Sequence, residues 1–189
     1  MPMRSPVPID PHYTFRLFRP RDLPDLRELY GHAESVRYMS ADGRPWTDVD
    51  LTRAIVAWQE EFHRVGYTKW RVDTGDGVFV GRAGLSPLEG APEEAELGYC
   101  VVREAWGKGI ATELATIVRD WAWENTCLPY LIGVTRPGNT ASQRVLFKIG
   151  MKETGQLAFQ GSMCQFFRVD RPTSVEQATD NHSRHRRSP

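Results

Sequence analysis

The run Tyr99-Cys100-Val101-Val102-Arg103-Glu104-Ala105-Trp106-Gly107-Lys108-Gly109-Ile110-Ala111-Thr112-Glu113 constrains this chain more than any other stretch. It predicts a strand ending near Val102, a short loop holding two glycines, and an amphipathic helix starting near Gly109. Ile110, Leu114, Ile117, Val118 and Trp121 recur at the spacing of one buried helical stripe. A strand, a glycine loop and a helix N-terminus make an anion site, because the first helical amides lack partners and the helix dipole favours negative charge. Gly107 and Gly109 carry no side chain that would keep a phosphate off those amides. The expected ligand is phosphorylated.

Two common phosphate loops do not fit. A P-loop requires G-x-x-x-x-G-K-[ST], but Val102 stands five residues before Gly107 and Lys108 precedes a glycine. A dinucleotide fingerprint requires a third glycine where Thr112 stands. A second motif follows. Leu131-Ile132-Gly133-Val134 reads as a strand and leads into Thr135-Arg136-Pro137-Gly138-Asn139-Thr140-Ala141-Ser142. Val145, Leu146 and Ile149 then form a helical stripe, with Asn139 suited to its N-cap and Gly150 to its end.

Together these motifs resemble the GNAT superfamily of N-acetyltransferases. Trp106-Gly107-Lys108-Gly109-Ile110-Ala111 is similar to its pyrophosphate loop, and Asn139-x-x-Ser142 followed by a helix is similar to its second signature. Val80-Gly81-Arg82-Ala83-Gly84-Leu85 and Ala95-Glu96-Leu97-Gly98-Tyr99 also match, in the right order. The resemblance spans residues 13 to 169 and is nearest the branch that acetylates protein N-termini, notably of ribosomal proteins, and its small-molecule relatives.

Element order agrees with that resemblance. Strands are expected near 13–18, 67–73, 78–86, 94–102, 130–134, 152–158 and 162–170, with helices near 22–32, 47–64, 109–125 and 139–149. The fold class is α+β: a mixed, mostly antiparallel, splayed sheet of about seven strands flanked by about four helices. The resemblance implies that the sheet opens between its fourth and fifth strands, near Cys100 and Gly133, and that a pantetheine arm lies in the opening. Residues 1–12 are expected as a flexible arm, 13–170 as the domain, and 171–189 as a disordered polar tail. His182-x-x-His185 within that tail is expected to be solvated, and no metal site is expected.

Composition excludes other classes. Twenty-four basic and 24 acidic residues balance, which argues against a nucleic-acid-binding protein. No apolar run is long enough to span a membrane, and no signal peptide is evident. Cys100, Cys127 and Cys164 lack metal-type spacing and are odd in number, which suits a reducing cytoplasm. A homodimer through the sheet edge stays open.

The resemblance implies direct attack of an amine on the thioester of acetyl-CoA, with no covalent enzyme intermediate. It places acetyl-CoA against Cys100, Val101, Val102, Gly107, Lys108, Gly109, Ile110, Ala111, Thr112, Asn139 and Ser142. Glu96 is either the base that takes the amine's proton or a surface charge beside Glu93 and Glu94. Ser142 is either the donor to the departing sulfur or a polar residue of a helical first turn. Asn139 is a helix cap and, by the resemblance, a contact to the acetyl-CoA arm. By the resemblance, the segment between the first two helices, which holds Trp46, is expected to border the acceptor. The acceptor is a primary amine of a protein N-terminus or a small molecule. The alternative is a non-catalytic sensor that binds acyl-CoA without turnover.

Overall fold

The computed structural model describes residues 5–39 and 43–173. Seven strands form one sheet in the order β1-β2-β3-β4-β5-β7-β6. They are β1 (Tyr13–Arg16), β2 (Lys69–Thr74), β3 (Phe79–Leu88), β4 (Ala91–Val101), β5 (Tyr130–Thr135), β6 (Lys152–Phe159) and β7 (Ser162–Asp170). Every pairing is antiparallel except β4 with β5. Among the described residues five α-helices flank the sheet: α1 (Leu23–Tyr30), α2 (Ala33–Val36), α3 (Asp48–Val65), α4 (Ile110–Asn125) and α5 (Thr140–Lys148). The expected α+β class and splayed sheet are borne out.

Cross-strand partners point to the same side of a sheet, so the register sorts the residues. Trp70 and Val72 of β2, Ala83 and Leu85 of β3, and Leu97 and Val101 of β4 face α4. There they meet Leu114, Ala115, Val118 and Trp121, with Trp70 edge-on to Trp121 at 4.8 Å. The helical stripe expected from Ile110 to Trp121 is the one that packs. On the opposite side α1 and α3 bury Leu26, Leu29, Leu51, Ile55 and Trp58. That side also carries charge: Arg16 forks onto Asp22 at 2.7 and 2.8 Å, and Arg71 pairs with Asp73, Asp25 and Asp22.

Local chemistry explains the helix ends. Thr47 and Asp50 form a reciprocal capping box at the start of α3, leaving few amides unsatisfied. Asn139 Oδ1 accepts from Ser142 N at 3.2 Å to start α5. At its far end Met151 N bonds back to Leu146 O at 3.0 Å.

Some boundaries differ from expectation. α2 is an extra helix, too short for a hydrophobic period to reveal. β4 begins at Ala91, so the hairpin after β3 is tighter than expected, and Pro92 falls inside the strand. Proline lacks an N–H and fits there because β5 pairs with β4 only further along. The segment expected as a loose arm lies against α4 from Ser5 onward: Ser5 N donates to Asn125 Oδ1 at 2.8 Å, and Trp121 Nε1 donates to Ser5 O at 3.1 Å. At the other end Arg171 binds the carbonyls of Leu128, Thr126 and Trp123, so its anchoring extends one residue past the expected boundary. The His182 and His185 pair lies outside the described residues. Among the described residues no helix is long and apolar enough to cross a membrane.

Candidate active site

The sheet opens where the motifs require. β4 and β5 meet in register only at Glu96 and Ile132. Beyond that point β4 continues through Leu97 to Val101, held by β3 alone, while β5 continues to Thr135, held by β7. One edge of β4 therefore faces a wedge and, among the described residues, has no strand to bond. Cys100 is partly buried there, and Val101 and Val102 are buried. Burial pushes the Cys100 thiol up, which fits an inert side chain better than a nucleophile.

At the end of β4 the chain turns once through Arg103–Ala105, and the Trp106 indole donates to Val101 O at 2.9 Å. That bond ties the loop to the strand and gives Trp106 a structural role. Gly107 and Gly109 adopt φ of +73° and +84°, a left-handed backbone that disfavours other residues, and among the described residues nothing lies within 4 Å of where a side chain would start at either. Gly109 caps α4, receiving bonds at its carbonyl from Thr112 N (2.9 Å) and Glu113 N (3.2 Å). Among the described residues the amides of Gly109, Ile110 and Ala111 donate to no backbone carbonyl. Free amides, open space and a helix N-terminus thus coincide, with Lys108 exposed beside them and Thr112 in the first turn.

Across the wedge, α5 presents Asn139 and Ser142. Asn139 Oδ1 is committed to the cap, which leaves its amide nitrogen as the group able to meet a ligand. Ser142 has a partner that sequence reasoning missed. Tyr99 Oη lies 2.9 Å from Ser142 Oγ and 3.0 Å from Ser142 O. Burial raises the Tyr99 phenol, so it stays protonated. Its place opposite Ser142 depends on the wedge geometry between β4 and α5, which no motif spacing encodes.

Glu96 lies on the other side of β4. Its neighbours Gly98 and Cys100 pair with Gly84 and Arg82 of β3, and the Arg82 guanidinium bonds the Tyr30 hydroxyl of α1 and stands 5.9 Å from the Trp58 ring of α3. Glu96 thus faces α1 and α3, while Tyr99 faces α4 and α5. The two candidate catalytic residues flank the wedge from opposite faces. Glu96 is partly buried and near Glu61, Lys69 and Arg82, a setting unlike that of a free surface charge.

The segment after α1 closes over this region. Glu34 of α2 pairs with Arg103 at 2.9 Å, and Tyr38 Oη donates to Gly138 O at 3.1 Å. These exposed contacts add little stability but join the turn after β4 to the loop before α5. Trp46 stacks on Tyr30 at 4.4 Å, carrying the segment back toward Arg82. Residues 40–42 of the expected selectivity segment lie outside the described residues. A separate concavity, lined by Ser5, Ile9, Asp10, Ile117 and Trp121, sits toward the C-terminal half of α4 and is remote from the loop.

The sequence profile of the acetyltransferase (GNAT) domain matches residues 12–152. The chain belongs to the GNAT family. It is 33% identical over 107 residues to the uncharacterized protein YkkB of Bacillus subtilis, covering 55% of this chain and 62% of YkkB. It is 28% identical to the uncharacterized N-acetyltransferase p20 of Bacillus licheniformis, covering 77% of this chain and 84% of that protein. Among solved structures, RimL, a ribosomal L7/L12 alpha-N-protein acetyltransferase in complex with coenzyme A, superposes with a TM-score of 0.71 at 13% identity. The match covers 87% of this chain and 97% of RimL. This GNAT member is an acyltransferase of the N-acetyltransferase class.

Proposed function

We propose that this protein moves the acetyl group of acetyl-CoA to a primary amine by direct attack, the amine belonging to a protein N-terminus or a small molecule. The observation that carries the reading is the wedge between β4 and β5, with an unpaired amide loop at its mouth and proton-handling groups on both faces. In this account the pyrophosphate binds the amides from Gly107 to Ala111 and the Thr112 hydroxyl, and Lys108 adds charge. The pantetheine runs along the unpaired edge of β4 past Cys100, Val101 and Val102, and Asn139 bonds it from α5.

The amine enters from the α1 and α3 side. Glu96, directly or through a water, draws off its proton. Nitrogen attacks the thioester carbon, the carbon–sulfur bond breaks, and the thiolate leaves toward Ser142, whose hydroxyl, oriented by Tyr99, returns a proton to sulfur. General acid and base assistance of this kind contributes about 10²–10⁴-fold each. The test is release of free thiol from acetyl-CoA across amine classes, with mass spectrometry of the products. Thiol release matched by an N-acetylated amine supports the reading, and release in the absence of any amine counts against it.

A further inference from the structure

Lys69 opens β2, two strands away from the wedge, yet its side chain reaches it. The register aligns Lys69 with Gly84 of β3, and Gly84 with Gly98 of β4. Neither glycine raises a side chain on this face, so together they form a groove running across the strands. A side chain at Gly84 would strike the Thr68 carbonyl, so that position is closed to larger residues. The Lys69 chain occupies the groove: a methyl group built on Gly98 would lie 3.5 Å from Lys69 Cε and 3.5 Å from Arg82 Nη1. Gly98 is two residues past the last point where β4 touches β5. The Lys69 amine is therefore delivered to the opening, on the face that bears Glu96.

The surroundings form one charged cluster. Glu61 and Arg64 come from α3, Arg82 from β3 and Glu96 from β4, with Tyr30 and Cys100 beside Arg82. Two buried atoms of this cluster, Glu61 Oε2 and Arg82 Nη1, have no hydrogen-bond partner among the protein atoms described. Buried polar atoms are rarely left unpaired, so the cluster is built to be completed by something else. A primary ammonium entering on this face would donate to Glu61 Oε2.

The chemistry supplies a use for a second base. A primary ammonium must lose one proton to become nucleophilic and another after the carbon–nitrogen bond forms. Glu96 holds one at a time, so the second must be passed on before Glu96 can serve the next amine. We propose that Lys69 is a proton-accepting residue of the acetyl transfer, taking onto its Nζ the second proton that the acceptor nitrogen loses, by way of Glu96. This rests on the acetyltransferase reading above. The first proton passes from Glu96 to solvent before attack. The second leaves nitrogen for Glu96 as the intermediate forms and moves on through water to Lys69, restoring the carboxylate. The departing thiolate takes its proton from the Ser142 hydroxyl, which Tyr99 orients and solvent replenishes. Lys69 returns its proton to solvent as product leaves.

The role requires a neutral amine at working pH. Burial, and next the Arg82 cation, lower the Lys69 ammonium from its ordinary range, outweighing Glu96 and Glu61, which act in the opposite sense. Lysine shifts readily when buried, whereas arginine stays charged in proteins, and that difference makes the test.

The full chain and its Lys69→Arg and Lys69→Met variants are compared for kcat against pH, with a small amine acceptor identified by thiol release. Acetyl-CoA thermal stabilisation reports on folding and donor binding in each. In parallel, the Cε resonances of the chain's four lysines, Lys69, Lys108, Lys148 and Lys152, are titrated by NMR. The expected result is a Lys69 resonance titrating below the other three, and a kcat loss of about 10²-fold in both variants with donor stabilisation unchanged. The limb of the pH profile that matches the Lys69 titration should vanish in both. Full turnover in Lys69→Arg would show that only the positive charge matters and would overturn the proposal, as would a Lys69 that titrates with the other lysines. An active parent with an unaffected Lys69→Arg sinks this inference alone, whereas a parent that acetylates no amine sinks the acetyltransferase reading with it.

Discussion

Tyr99 and Ser142 join β4 to α5 across the open end of the sheet, Tyr99 Oη standing 2.9 Å from Ser142 Oγ and 3.0 Å from Ser142 O. The carbonyl only accepts, so the phenol hydrogen points to it and the serine hydroxyl is left to turn toward Tyr99 or into the wedge. Ser142→Ala should therefore cut turnover by about 10²-fold with donor binding retained. Tyr99→Phe loses only the orientation of that hydroxyl and should cost about tenfold, the worth of roughly one hydrogen bond. Steady-state kinetics together with thermal stabilisation by CoA check both. Equal turnover in parent and Ser142→Ala would remove the pair from the reaction.

The donor site is tested at Gly109. An aspartate there would have to adopt φ near +84° and would set a carboxylate against the incoming phosphates. For the parent, CoA at about a hundred times its Kd should add about 2.7 kcal/mol of stability. Gly109→Asp should abolish that increment while leaving a cooperative thermal transition. A variant that CoA stabilises as strongly as the parent would show that the phosphates bind elsewhere.

Glu96 is tested through pH. As a base it is most needed where the amine is protonated, so Glu96→Gln should lose most at mildly acidic pH, by about 10²-fold, and recover part of the loss as pH rises. A variant whose profile runs parallel to the parent at full height would make Glu96 a bystander.

Stability should respond to acid through Asp22. Burial opposes its charge, but the Arg16 fork, the Arg19 amide and Arg71 outweigh burial and hold the carboxyl below its ordinary value. A carboxylate lowered in the folded state stabilises above its unfolded pKa of about 3.9, and that share is lost as pH falls through the folded value. The melting temperature of the parent should drop below about pH 4, and Asp22→Asn should flatten part of that drop while lowering stability at neutral pH. An identical acid profile in parent and variant would locate the sensitivity elsewhere.

Much of this was legible in the residues, for identifiable reasons. The α4 stripe from Ile110 to Trp121, the Asn139 cap and the Gly107–Gly109 loop are local patterns whose spacing carries their geometry. Glu96, Gly98 and Cys100 share one strand face, as alternation along a strand requires. What was hidden depends on distant parts of the chain meeting: Tyr99 with Ser142, Lys69 across Gly84 to Gly98, and Tyr38 with Gly138. Such pairs follow from strand order and splay, which periodicity does not encode. α2 was hidden for another reason, since four residues are too few to show a helical period.

The central claim is that the wedge between β4 and β5 carries out transfer rather than binding alone. Purified protein mixed with acetyl-CoA and a panel of amines, from protein N-terminal peptides to aminoglycosides, amino acids and polyamines, should release free CoA thiol only when a suitable amine is present. Each thiol released should be matched by one N-acetylated product in the mass spectrum. Tight CoA binding with no amine-dependent thiol release across the panel would contradict the account and leave a sensor of acyl-CoA in its place.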